Sequence, residues 1–198
     1  INCKVDNYNF TNADNTLATI YIVRDPRNLV NSFTNHYSMD KDKATRFLVH
    51  QTPTFASGHM DVEEKDNNIF TLISCWKDHY VSWTRNNQKL LVIRYEDLSK
   101  DINKEILRIV DFLKEFVKFD LNDKKIENII KTTQFENLKK LEEKDGFKES
   151  PRDKEGKLIN KRFFYLGKEN KWEKYLDEKN RMEIETKLKD LMEELKYL

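Results

Sequence analysis

The sequence predicts an α/β domain in which a parallel sheet is flanked by helices, and three observations carry that prediction. Two short apolar runs, residues 17–23 and 89–95, read as strands. Each is followed by residues spaced for a helix, which gives a β-α-β-α alternation. The 198 residues are one domain's worth and contain no internal repeat or low-complexity linker, so residues 1–198 are read as a single domain.

In the first run Leu17, Ala18, Ile20, Tyr21, Ile22 and Val23 are nearly continuous, as expected of a strand covered on both faces. Asp25 can cap the next helix, and Pro26 suits its first turn, where a missing N–H costs nothing. That helix is expected over residues 26–37. Residues 40–68 are polar and irregular, with Pro53 and Gly58. Ile69, Leu72, Ile73, Trp76, Tyr80 and Trp83 recur at helical spacing and predict one long helix whose aromatic face serves the core. The second strand covers 89–95 and an amphipathic helix 101–113. Helices are expected over 123–141, a charged loop over 145–161 and a closing helix over 177–198, with Met182, Leu188, Leu191, Met192 and Leu195 on one side.

Thirty-six Lys and Arg against 35 Asp and Glu leave a formal net charge of +1, which gives no reason to expect a nucleic-acid or membrane partner. No stretch approaches 18 apolar residues, and the first residues lack the apolar core of a signal peptide. Cys3 and Cys75 are the only cysteines, too few for a disulfide scaffold and in keeping with a reducing cytoplasm. His36, His50, His59 and His79 lack the H-E-x-x-H spacing, so no metal site is expected. A G-x-S-x-G elbow is absent, and none of the four glycines fits a Walker loop or a G-x-G-x-x-G turn.

The chemistry concentrates at Arg24. It stands at the carboxyl end of a predicted strand and beside a helix amino terminus, where open α/β sheets bind ligands. Ser32 lies eight residues on, about two helical turns away, and could bring a hydroxyl to the same anion. Two readings stand at this point: an anion clamp, or an arginine paired with a neighbouring carboxylate.

The segment YIVRDPRN followed by Ser32 resembles the 3'-phosphate-binding segment of the sulfotransferases that use 3'-phosphoadenosine 5'-phosphosulfate (PAPS). In the order of that family, CWKDHYVSW at 75–83 and LVIRYEDL at 91–98 resemble its next helix and strand. TTQFENL at 132–138 resembles the adenine-side segment, and FFYLGKENKW at 163–172 the final phosphate clamp. The resemblance runs from about residue 15 to the C-terminus. It implies a P-loop-like sulfotransferase fold, incomplete at the N-terminus, and transfer of a sulfuryl group from PAPS to a hydroxyl or amine of a small-molecule acceptor. Carried over by position, Arg24 grips the 3'-phosphate and Ser32 donates to it, Tyr95 lies close to the adenine, Phe135 stacks on the base, and Thr133 is the neighbouring polar contact. For Tyr95 and Phe135 a plain packing role stays open, and Glu96 and Asp97 are expected to anchor the turn by hydrogen bonds.

The last block departs from the family. Where Arg-Lys-Gly is usual, this chain has Tyr165, Leu166 and Gly167; Gly167 and Trp172 match but the charges do not. Lys161, Arg162 or Lys168 could supply the missing cation, and Arg162 is preferred because a glycine-containing loop absorbs a shift of three residues; equally, Lys157, Lys161 and Arg162 could merely solvate a surface loop. The sequence opens on Ile1, and the family's phosphosulfate loop and catalytic histidine are expected upstream of that residue, so the general base is not identified. The chain is accordingly expected to be the C-terminal part of such an enzyme, inactive by itself, or a natural short form without catalysis. Two other functions are carried alongside: a noncatalytic binder of adenosine 3',5'-bisphosphate and a small-molecule kinase of the related P-loop type.

Overall fold

The computed structural model describes residues 15–50, 74–85, 89–150 and 162–198, with the backbone of the pairs 4–5, 8–9, 54–55 and 72–73. In chain order the strands are β1 (Lys4–Val5), β2 (Tyr8–Asn9), β3 (Thr19–Val23), β4 (Thr54–Phe55), β5 (Leu72–Ile73) and β6 (Leu90–Arg94). The helices are α1 (Pro26–His36), α2 (Lys41–Val49), α3 (Trp76–Thr84), α4 (Tyr95–Lys100), α5 (Ile102–Lys114), α6 (Asp123–Thr132), α7 (Phe135–Asp145), α8 (Trp172–Tyr175), α9 (Glu178–Lys187) and α10 (Lys189–Glu194). Contacts group them into two compact units, residues 1–25 with 79–137, and residues 26–78 with 138–198.

In the first unit the expected parallel pairing is present. β3 and β6 run side by side with Thr19 opposite Leu90 and Val23 opposite Arg94, and Thr19 N–H extends the ladder to Lys89 O at 2.9 Å. β-branched side chains supply much of both strands, the composition that a pleated surface favours. Val23 and Ile93 are buried. α4 and α5 pack on β6, and α5 starts where the Asp101 carboxylate accepts from Lys104 N–H at 3.1 Å. Its buried Glu105 pairs with Arg108, one turn on. Tyr21 Oη and His79 Nδ1 are hydrogen-bonded at 2.7 Å, and the Tyr21 ring meets Tyr80 edge-on. Burial pushes the Tyr21 hydroxyl far up and the His79 imidazolium down, so the pair is neutral.

Three sequence expectations are corrected. The first strand starts at Thr19 and is not covered on both faces: Thr19 and Val23 are buried, whereas Ile20 is 37% and Ile22 55% exposed. An unbroken apolar run does not report which face meets a partner, and here the period-2 alternation decides. The long helix expected from residue 69 begins only at Trp76. Leu72 and Ile73 instead pair antiparallel with Phe55 and Thr54, because an apolar run without a polar face fits strand and helix equally; Ile69 lies outside the described residues. The closing helix is broken at Leu188, whose backbone leaves helical values and so lets Leu188, Leu191 and Met192 all enter the core.

Among its described residues the second unit is built of helices apart from β4 and β5. α1 packs on α2, α8 and α9, and α2 packs on α9. Val30, Ala44, Leu48, Ile184, Met192 and Tyr197 form its core. Asp42 ties α2 to α9, accepting from Lys179 Nζ at 2.7 Å and from the buried Asn180 Nδ2 at 2.8 Å, and Asp177 caps α9 through Asn180 N–H. Arg27 is buried in α1. Its guanidinium donates to Glu185 Oε1 at 2.7 Å and Tyr197 O at 2.8 Å, and lies 4.3 Å over the Trp172 ring. A buried cation is tolerable only with partners of this kind.

Candidate functional site

Within the first unit, the parallel register brings two strand ends level and so decides which side chains leave the sheet together. Val23 and Arg94 are partners, so Arg24 after β3 and Tyr95 after β6 emerge at the same edge. The Arg24 guanidinium lies 4.2 Å above the Tyr95 ring centroid. Stacking of this kind holds the planar fork flat against an aromatic face and sets the direction of its N–H groups. Glu96 binds the turn by a hydrogen bond, as expected, its Oε1 accepting from Asp25 N–H at 3.2 Å, whereas Asp97 Oδ2 lies 3.9 Å from Arg94 Nε, an ion-pair distance too long for the expected hydrogen bond. Phe135 opens α7 half-buried. Thr133 is exposed at the end of α6, where its hydroxyl donates to Ile129 O at 2.7 Å.

Within the second unit, α1 carries a polar stripe of Asn28, Asn31, Ser32 and Asn35, spaced i, i+3, i+4, i+7. All four side chains bond to the segment 162–172. Asn35 Nδ2 donates to Arg162 O at 3.0 Å, Asn31 Nδ2 to Asn170 Oδ1 at 3.1 Å, and Trp172 N–H to Asn28 Oδ1 at 2.7 Å. Asn170 Nδ2 donates both to Asn28 O at 3.0 Å and to Ser32 Oγ at 3.1 Å. Gly167, with φ at +53°, opens the short 3-10 turn Gly167–Glu169 that leads into Asn170. Glycine reaches that backbone region without cost.

Arg162 is exposed and its guanidinium is paired with Glu143. Tyr165 is exposed and Leu166 half-buried, so the two positions where the sequence lacks the expected cations are occupied by neutral side chains. Lys157 and Lys161 lie outside the described residues, as does most of the irregular 40–68 region. The described residues include no assigned catalytic group.

The segment is held by a residue that motif reading missed. Glu142 on α7 accepts from Ser150 Oγ at 2.6 Å, Phe163 N–H at 2.7 Å and Phe164 N–H at 3.0 Å. Burial alone would raise its carboxyl, but these three donors and the nearby Arg162 charge outweigh burial and hold it below the ordinary glutamate range. Asn28, Asn31 and Asn170 were missed as well. The signal for the first two was present, a polar stripe at helical spacing inside a segment valued only for Arg24 and Ser32. Glu142 and Asn170 sit in strings of polar residues and give no such signal.

Residues 9–196 match the family model described as the sulfotransferase domain. The chain belongs to the sulfotransferase family. Membership decides against the kinase alternative. An amine sulfotransferase of Oryctolagus cuniculus is 29% identical over 129 residues, which is 64% of this chain and 38% of that protein. Cytosolic sulfotransferase 17 of Arabidopsis thaliana is 27% identical over 124 residues, 62% of this chain and 33% of that protein. Among solved structures, a mouse sulfotransferase complexed with PAP superposes with a TM-score of 0.61 at 20% identity, over 88% of this chain and 58% of that one. The sulfotransferase fold is thereby shown, and the chain spans well under two thirds of these relatives. Among the described residues no helix is long and apolar enough to cross a membrane, and no His, Cys, Asp and Glu cluster could hold a metal ion.

Proposed function

We propose that this protein serves transfer of a sulfuryl group from PAPS to a hydroxyl or amine of a small-molecule acceptor in the cytoplasm, and that the chain supplies the nucleotide end of the donor site. The observation that carries the reading is Arg24 at a strand end, its fork stacked on Tyr95, immediately ahead of the helix bearing Ser32. A planar, permanently charged donor suits a phosphate, and a helix start adds partial positive charge. PAPS brings the activated sulfuryl group. What these residues do is bind and orient: Arg24 and Ser32 take the 3'-phosphate, Tyr95 and Thr133 flank the adenine, Phe135 stacks on it, and Gly167 shapes the clamp, with Arg162 its preferred cation. Such transfer asks a protein mainly for positioning and charge stabilisation.

The test is discrimination. Calorimetry on the full-length protein is expected to show that adenosine 3',5'-bisphosphate, the donor's remainder after transfer, binds far more tightly than 5'-AMP. Equal affinities would end the proposal, because a 3'-phosphate site must tell them apart. Binding of the bisphosphate with no acceptor sulfated would instead identify a noncatalytic binder. Phe135→Ala is expected to weaken bisphosphate binding by about 2 kcal/mol, within the range for a base stacked on an aromatic ring. Unchanged affinity in a folded variant would assign Phe135 to packing.

A further inference from the structure

We infer that Asn170 is a positioning residue which fixes the Ser32 hydroxyl as a hydrogen-bond donor to a bound phosphate. The inference rests on the reading of Ser32 as an anion ligand and goes beyond it by naming what gives that hydroxyl its direction.

Asn170 is 6% exposed and sits where the glycine turn meets α1. The orientation of its amide follows from one contact. Nδ2 is 3.0 Å from the Asn28 carbonyl oxygen, which can only accept, so the nitrogen faces α1 at this point and Oδ1 receives Asn31 Nδ2. The same nitrogen lies 3.1 Å from Ser32 Oγ. An amide nitrogen does not accept, so the Ser32 oxygen must, and its single proton is directed elsewhere.

A serine inside a helix ordinarily gives that proton to the carbonyl four residues back. For Ser32 that carbonyl is Asn28 O, which Asn170 occupies, and among the described residues the Ser32 hydroxyl donates to nothing. A hydroxyl prepared in this way is a preset donor for an incoming oxyanion. The orientation matters more here than in a clamp rich in cations, because Tyr165 and Leu166 are neutral where an Arg-Lys pair is usual. With less charge available, each neutral donor must already point at the ligand.

The experiment compares the full-length protein with Ser32→Ala, Asn170→Ala and the double variant, measuring affinities for adenosine 3',5'-bisphosphate and 5'-AMP by calorimetry and folding by thermal melting. Asn170→Ala is expected to fold, since Asn28 Oδ1 and Arg27 still hold Trp172. It should lose about tenfold of the preference for the bisphosphate, the size of one hydrogen bond to a charged group. The double variant should lose no more than Ser32→Ala alone, because the two residues act through one proton. Losses that add, or a folded Asn170→Ala with its preference intact, would overturn the inference. If the alanine variant melts early, Asn170→Asp is read instead. Its carboxylate accepts the Ser32 proton and should reduce the preference at least as much; wild-type preference there would overturn the inference too. A wild-type protein that does not distinguish the two nucleotides refutes the functional reading, whereas discrimination that Ser32→Ala lowers and a folded Asn170→Ala leaves intact refutes only the role of Asn170.

Discussion

Arg24→Ala is expected to weaken adenosine 3',5'-bisphosphate binding by about 3 kcal/mol, more than a hundredfold, while leaving 5'-AMP binding nearly unchanged. The loss follows from the two-pronged geometry of a guanidinium on a phosphate and from the way Tyr95 holds that guanidinium over its ring at 4.2 Å. Arg24→Lys keeps the charge but loses both the fork and the stacking plane, so it should fall between wild type and alanine. Tyr95→Phe keeps the face and should stay close to wild type. Titration calorimetry of the four proteins with both nucleotides checks the series. A loss shared equally between bisphosphate and 5'-AMP would mean that Arg24 supports the fold or the adenine instead of the 3'-phosphate.

The second large effect is on stability. Glu142→Gln should destabilise the protein by about 3 kcal/mol, because one carboxylate satisfies a buried hydroxyl and two backbone N–H groups, and an amide turns a donor toward at least one of them. The effect carries a pH signature. The Glu142 carboxyl is held below its ordinary value in the folded protein, so the folded state binds fewer protons than the unfolded one through the acid range. Its contribution is therefore fully present above the unfolded value, near 4.5, and is lost as pH falls through the lowered folded value. Urea titrations at neutral and acid pH should show a wide gap between wild type and Glu142→Gln that narrows as the medium becomes more acid. A gap that is constant across that range would show that the carboxylate's charge is not what holds residues 163 and 164.

The strand-helix junction was legible because its chemistry is local. Apolar run, arginine, proline and helix succeed one another within one short segment, and each obeys a rule that acts over one or two turns. The helix starts at Pro26 and Ile102 were readable for the same reason. Leu72 and Ile73 were not, since their fate depends on residues 54 and 55, far back along the chain. Ile20 and Ile22 show the same limit. Their side chains are as apolar as those of Val23 and Ile93, and only the placement of neighbouring elements determines which are covered.

The candidate site divides along the same line. Arg24 and Ser32 announce themselves through spacing within one segment, whereas the partner of each lies far along the chain: Tyr95 for the first and Asn170 for the second. Nothing near Glu142 in the sequence marks it as the anchor of residues 163 and 164, and Arg162, preferred as the replacement cation because a glycine-containing loop absorbs a shift of three residues, is paired with Glu143.

The amino-acid sequence by itself determined the family, through motif blocks that resemble it in order, and the parallel strand pair and the candidate anion residues, which rest on periodicity, capping and short-range order. Tertiary structure alone decided which way those residues point. The direction of a guanidinium or a hydroxyl is set by the aromatic face or amide that folding brings against it, and such contacts join residues that chain distance keeps apart.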